Sequence, residues 1–182
     1  MSTPQRVTLT PADTHWPRQI VERLGHAAPG QLTTLGNLGL LALPKTGLFC
    51  SARCPGTAIL RTYDQAAHWR DSGRCIISGF HSPVEKECLR ILLRGTSPVI
   101  ICPARDMPKR LPPEWQEPLT SHRMLVLSFF PSGMSRVTAE LAKQRNEFVA
   151  ALADELWFAH IAPGGQTAAL AAAQTLTQPG PS

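Results

Sequence analysis

Five short apolar runs, each closed by a turn, leave this chain few folds to adopt. They are "GLFCS", "RCIIS", "PVIIC", "MLVLSFF" and "LWFAHI". A strand with one face in water alternates apolar and polar residues, whereas a continuous apolar run marks a strand buried on both faces. Segments of helical spacing separate the runs. "PGTAILRTYDQAAHWRDSG" predicts a helix from Pro55 to near Gly73. "PVEKECLRILLRG" puts Val84, Cys88, Ile91 and Leu92 on one face, and "SRVTAELAKQRNEFVAALADE" does the same for Val137, Leu141, Phe148 and Leu152. "APGGQTAALAAAQ" reads as a tight turn into an Ala-rich helix. Parallel strands need such helical crossovers. The expected fold is therefore α/β, a doubly wound, mostly parallel sheet of extended Rossmann-like type.

The remaining segments sort by their punctuation. Residues 1–46 read as a lead-in packed on the main domain, irregular over 1–30 around Pro4, Pro11, Pro17 and Pro29. Within it, "HWPRQIVERLG" predicts a short helix starting near Pro17, and "QLTTLG" a short strand. Residues 47–173 form the Rossmann-like domain, with a Pro-rich loop and a short helix over 103–122. Residues 174–182 read as a disordered tail.

Composition narrows the function classes. The 43 % apolar and 17 % charged content is that of a globular chain. No apolar run is long enough to span a membrane, and no basic-then-apolar leader opens the chain, so the cytoplasm is the expected compartment. The five cysteines are odd in number, lack a C-x-x-C pair and sit mostly in apolar runs, which points to packing. No metal and no cofactor is expected. Residues 1–110 carry 14 Lys and Arg against 7 Asp and Glu, while residues 111–182 carry 4 against 6. Such a basic half suits an anionic partner or serves as plain solubilising charge.

In a doubly wound sheet, ligands sit beyond the C-terminal ends of the strands. There the sequence places Ser51, Ala52 and Arg53, then Ser78 and Gly79, then Gly164, Gly165, Gln166 and Thr167. Glycine permits close backbone approach, and unpaired N–H groups at helix starts attract anions. Arg53 offers a planar fork for phosphate. A Ser-Gly step after a strand is also an ordinary turn. The GxGxxG and GxxxxGK[ST] phosphate motifs and the GxSxG elbow are absent. His81, following Ser78-Gly79, is placed to act near a ligand but reads more simply as a polar loop residue, and Glu85 and Glu87 read as a solvated helix face. Phe80 and Phe130 are candidates for base stacking.

The order "CSAR", "IISGF…VEKE", "GTSPVIIC", "LSFFPSG" and "AKQRNEFVAALADELWFAHIAPGGQTAAL" resembles the DprA/Smf family of DNA-processing proteins over residues 13–173. Ser51 to Arg53 correspond to its Gly-Thr/Ser-Arg turn, Ile76 to Glu85 to its "VVSGLARGID" segment, and Arg145 and Asn146 to its "RN" pair. Ser82 and Pro83 replace the arginine and second glycine of "GLARGID", and Ser51 replaces the first-turn glycine. The resemblance implies a non-enzymatic protein that binds single-stranded DNA through Arg53 and its neighbours, dimerises, and loads a recombinase during DNA uptake and recombination. Two alternatives stand beside it. One is a small-nucleotide sensor using the same site. The other is a nucleotide phosphoribohydrolase similar to the LOG group, whose PGGxGTxxE turn "PGGQTAAL" begins to match but lacks the second glycine and the glutamate.

Overall fold

The protein is described here by a computed structural model covering residues 5–177. Its elements run β1 (Arg6–Leu9), α1 (Gln19–Leu24), β2 (Leu32–Gly36), β3 (Lys45–Cys50), α2 (Gly56–Ser72), β4 (Cys75–Ser78), α3 (Pro83–Leu93), β5 (Val99–Ile101), α4 (Gln116–Thr120), β6 (Met124–Ser128), α5 (Ala139–Leu152), β7 (Glu155–His160) and α6 (Gln166–Thr177). All seven strands form one sheet in the order β1-β2-β6-β5-β4-β3-β7. Strands β3 to β7 are mutually parallel, and β1 and β2 join antiparallel at the β6 side.

The expected doubly wound, mostly parallel sheet is present, with two additions. Residues 6–9 form a strand where the sequence reading has irregular chain. That edge strand is short and exposed on three of its four residues, so hydrophobic patterning does not announce it. β3 starts at Lys45, two residues before "GLFCS", because Lys45 and Thr46 are held by polar partners. Lys45 is 2 % exposed, with Nζ 3.5 Å from Asp154 Oδ2, and Thr46 Oγ1 accepts from Arg74 Nε at 2.9 Å. Helix α6 continues to Thr177, past the start of the expected tail, and residues 178–182 lie outside the described residues.

The continuous apolar runs split between two cores, as burial on both faces requires. Phe49, Cys75, Ile77, Ile100, Leu125 and Leu127 pack under α1, α5 and α6. Leu48, Ile76, Val99, Ile101, Met124 and Val126 pack under α2 and α3. Val84, Cys88, Ile91 and Leu92 are all buried, as their spacing predicts. On α5, Phe148 and Leu152 are buried, while Leu141 and the preceding Val137 are only partly covered. No helix among the described residues is long and apolar enough to cross a membrane.

Strand order fixes the place of any site. The chain runs β3, β4, β5, β6 in one direction, then returns to lay β7 on the other side of β3. The connections after β3 and β7 therefore diverge and open a crevice between their C-terminal ends.

The antiparallel extension depends on Gly36. Its φ is +112°, and a Cβ there would run into the Met124 carbonyl oxygen of β6. Gly36→Ala should lose roughly 2 to 5 kcal/mol of stability in urea unfolding. A loss within experimental error would show that β2 does not need this backbone conformation.

Candidate functional site

The crevice holds a cavity of about 550 Å³ lined by the ends of β3 and β7 and the starts of α3 and α6, with α5 along one wall. Its floor is a guanidinium. Arg145 is 4 % exposed, donates from Nη1 to the Cys102 carbonyl at 3.2 Å, and donates from Nε to Asn146 Oδ1 at 2.8 Å. No carboxylate lies within ion-pair distance of it among the described residues. Burial pushes its pKa down from the ordinary arginine value, and the charge of Glu85 opposes that. Arginine stays protonated regardless, so the floor of the cavity carries a cation without an ion-pair partner among the described residues.

Gly79 makes room for this cation. A Cβ at Gly79 would overlap Arg145 Nη1, so the guanidinium lies directly against the Gly79 backbone. The Ser-Gly stop that ends β4 is therefore a docking platform for an arginine 66 positions further on, and the glycine is needed for close approach rather than for a left-handed turn.

Glu85 fixes the other wall. The sequence reading put it on a solvated face. It is instead 6 % exposed, because its carboxylate accepts three backbone N–H groups. Oε1 takes Cys50 N–H at 3.0 Å, and Oε2 takes His81 N–H at 2.9 Å and Ser82 N–H at 3.0 Å. Ser82 returns the bond by accepting Glu85 N–H at 3.2 Å, which completes a capping box at the start of α3. The signal was present in the sequence as Ser82-Pro83-Val84-Glu85. Glu87 is partly covered and pairs with Arg90.

A third fastening joins β3 to the last helix. Ser51 Oγ accepts Ala162 N–H at 2.9 Å and shares a 2.6 Å hydrogen bond with Thr167 Oγ1. Both hydroxyls are buried and mutually occupied. Gln166 Nε2 donates to the Ala139 carbonyl at the start of α5, at 2.8 Å. The main-chain N–H groups of Gln166 and Thr167 have no partner among the described residues, and both residues line the cavity. That leaves the positive end of α6 facing the cavity.

The sequence candidates thus separate. Ser51, Ala52, Arg53, Arg145, Asn146, Gly165, Gln166 and Thr167 line the cavity. Arg53 is exposed and makes no hydrogen bond or ion pair with any described residue. Ser78, Gly79 and Phe80 do not line it. Ser78 is fully buried, donates to the Leu48 carbonyl at 2.8 Å, and accepts Phe80 N–H at 3.2 Å. Phe80, at φ 45°, turns into the core below α3 and is 5 % exposed. Phe130 is equally buried, so neither ring offers a face to a base. Gly164, at φ +71°, lies in an adjoining cavity of about 290 Å³ that shares Asn146, Gly165 and Gln166 with the first and adds Lys143. His81 and Ser82 line the main cavity, and the sequence reading gave them no site role.

The cysteines behave as packing. All five thiols are free, and burial pushes Cys50, Cys75, Cys88 and Cys102 up to about 12. Among the described residues no cluster of acidic, histidine and cysteine side chains is arranged to hold a metal ion.

Against known proteins, the sequence matches the model of the family described as DNA recombination-mediator protein A over residues 7–176. The chain belongs to this family. The fold is similar to DNA processing protein A (DprA) from Streptococcus pneumoniae, with a TM-score of 0.76 at 18 % identity, covering 94 % of this chain and 60 % of that one. It is also similar to DNA processing protein A from Helicobacter pylori, with a TM-score of 0.73 at 20 % identity, covering 96 % of this chain and 79 % of that one. The Helicobacter protein's structure was reported for its unique single-stranded DNA binding mode. The chain thus spans under two thirds of the length of the Streptococcus protein. A search of curated proteins gives no match.

The Gly79 platform predicts a separable defect. Gly79→Ala must expel the Arg145 guanidinium from its seat. It should lower stability by roughly 1 to 3 kcal/mol and abolish anion binding in the cavity, read by calorimetric titration with inorganic pyrophosphate. Wild-type anion affinity in a folded Gly79→Ala protein would remove Arg145 from the site.

Proposed function

We propose that this protein binds single-stranded DNA along the C-terminal edge of its sheet and acts as a DNA-processing protein in DNA uptake and recombination. The observation that carries the reading is the unpaired cation at the switch point. Arg145 is buried against Gly79 and lines the cavity, with Arg53 free beside it and the open N–H groups of α6 opposite. Arg145 and the α6 N–H groups are held in place, Arg53 is free to move, and all are donors placed to receive phosphate. The adjoining cavity prolongs the groove toward Lys143, and exposed Lys86 and Arg105 supply further positive charge on the same edge of the sheet. A groove with cations along its length suits a phosphodiester chain better than a single nucleotide.

Family membership and the single-stranded DNA binding reported for the Helicobacter protein support the same reading. Phosphates give the affinity in this reading, and neither Phe80 nor Phe130 offers a ring face at the cavity, so the proposal expects sequence-tolerant binding. Hydrolysis of a nucleotide is the poorer reading. Among the described residues Glu85 is the only carboxylate lining the cavity, and both its oxygens are occupied by backbone N–H groups. Dimerisation and the loading of a recombinase in the cytoplasm extend the proposal on family grounds.

Arg53 is the residue to test, because it is exposed and holds nothing else in place. Arg53→Ala should weaken binding of a labelled single-stranded oligonucleotide and flatten the slope of log K against log salt by about one unit, with unchanged thermal stability. Fluorescence anisotropy across a salt series measures both. Unchanged affinity and slope would take Arg53 out of the interface, and no oligonucleotide binding by the wild type would refute the DNA reading itself.

A further inference from the structure

We propose that His81 is a phosphate ligand of this cavity that enters the complex as an imidazolium, so that anion binding takes up one proton. The inference rests on the anion-binding reading of the cavity given above, and it concerns a side chain for which the sequence favoured an idle loop position over a place near a ligand.

His81 owes its position to the backbone. The Ser78 hydroxyl accepts Phe80 N–H, and the Glu85 carboxylate accepts His81 N–H. Phe80 is bent into the left-handed region between these two anchors. A bulky residue adopts that conformation only when its surroundings impose it, and such strain gathers where a side chain must be aimed. With Phe80 turned inward, the next residue faces out, and His81 lines the cavity together with Arg53 and Arg145. Its ring makes no hydrogen bond with any described residue, so both ring nitrogens are open to a ligand.

The charges around the ring set its protonation. Arg145 reaches it from α5, Lys86 and Glu85 from α3, and Arg105 from the loop after β5. Burial first, then the Arg145 and Lys86 charges, hold His81 below the usual histidine range. Glu85 pulls the other way, and Arg105 adds to the lowering. Without an anion beside it, burial and the nearby cations thus favour the neutral ring and resist its protonation. A phosphate seated between Arg53, Arg145 and the start of α6 reverses that balance. It offsets the three cations and presents acceptor oxygens to an imidazolium, which is a donor at both nitrogens.

The sign follows from linkage. His81 has a lower pKa in the free protein than in the complex, so binding consumes a proton between the two values. Affinity is lowest where the ring is neutral in both states. It climbs as pH falls through the bound-state pKa, by up to about tenfold per pH unit, and levels once the free protein is protonated as well. A DNA strand, whose phosphodiesters keep one charge throughout this range, shows this dependence alone, whereas inorganic phosphate also takes up a proton of its own over the same range.

The direct test is a proton NMR titration of the His81 ring, from about pH 5 to about pH 8.5, with and without saturating inorganic phosphate at constant ionic strength. The expected result is an upward shift of the His81 midpoint by about one unit. An unshifted His81 overturns the proposal, whatever DNA does. In parallel, oligothymidylate affinity is measured across the same pH range for the wild type, His81→Gln and His81→Arg. The proposal expects affinity rising toward acid in the wild type, flat and weak binding in His81→Gln, and flat and tight binding in His81→Arg. A pH dependence that survives in His81→Gln assigns the proton elsewhere and refutes the role of His81. A phosphate-shifted His81 in a protein that binds no oligonucleotide would uphold the ligand and refute the DNA reading, so the two failures are distinct.

Discussion

Everything at the top of this sheet is arranged around one buried guanidinium. Arg145 sits against the bare backbone of Gly79 and is tied to the end of β5 through the Cys102 carbonyl. Burying an unpaired cation costs several kcal/mol, and the structure offsets that with fixed dipoles and hydrogen bonds rather than a contacting carboxylate. Glu85 is near enough to oppose the shift in Arg145, yet its oxygens are spent on three N–H groups of the β3 and β4 ends. The consequence is a cavity floor whose positive charge has no ion-pair partner among the described residues and is held in place. An anion entering it meets donors that need no rearrangement, which is the condition for tight recognition of a flexible chain.

The fold was legible because its strands are buried on both faces. Continuous apolar runs, glycine at the end of α2 and spaced apolar residues in α3 all follow from packing rules that act locally. The strand at residues 6–9 was hidden for the opposite reason, since an exposed edge strand buries too little to leave a pattern. Lys45 and Thr46 were hidden because polar residues enter a central strand only through partners distant in sequence, Asp154 and Arg74.

The site was half legible. Topology and turn composition brought attention to the residues after β3 and β7, and those do line the cavity. Sequence could not tell which polar side chains face the cavity and which are consumed inside the protein. Ser78 and Ser128 look like free hydroxyls at strand ends, yet each is buried, donates to a carbonyl and accepts the N–H of a phenylalanine two residues on. This repeated device ends β4 and β6 alike and draws Phe80 and Phe130 inward. Glu85 reads as one more charged residue on an amphipathic helix until its three N–H partners, one of them 35 positions away, are seen.

The hydroxyl clip between Ser51 and Thr167 has a bearing on the order in which the protein is made. It joins residues 116 positions apart. Contacts of such long sequence separation form late, because the intervening chain must first be ordered. Synthesis runs from the N-terminus, so β3, β4 and the Arg53 loop exist well before α5 brings Arg145 and α6 brings its open N–H groups. A ribosome-bound fragment thus has the rim of the groove without its floor or its far wall. The cavity is therefore complete only once α6 has been made.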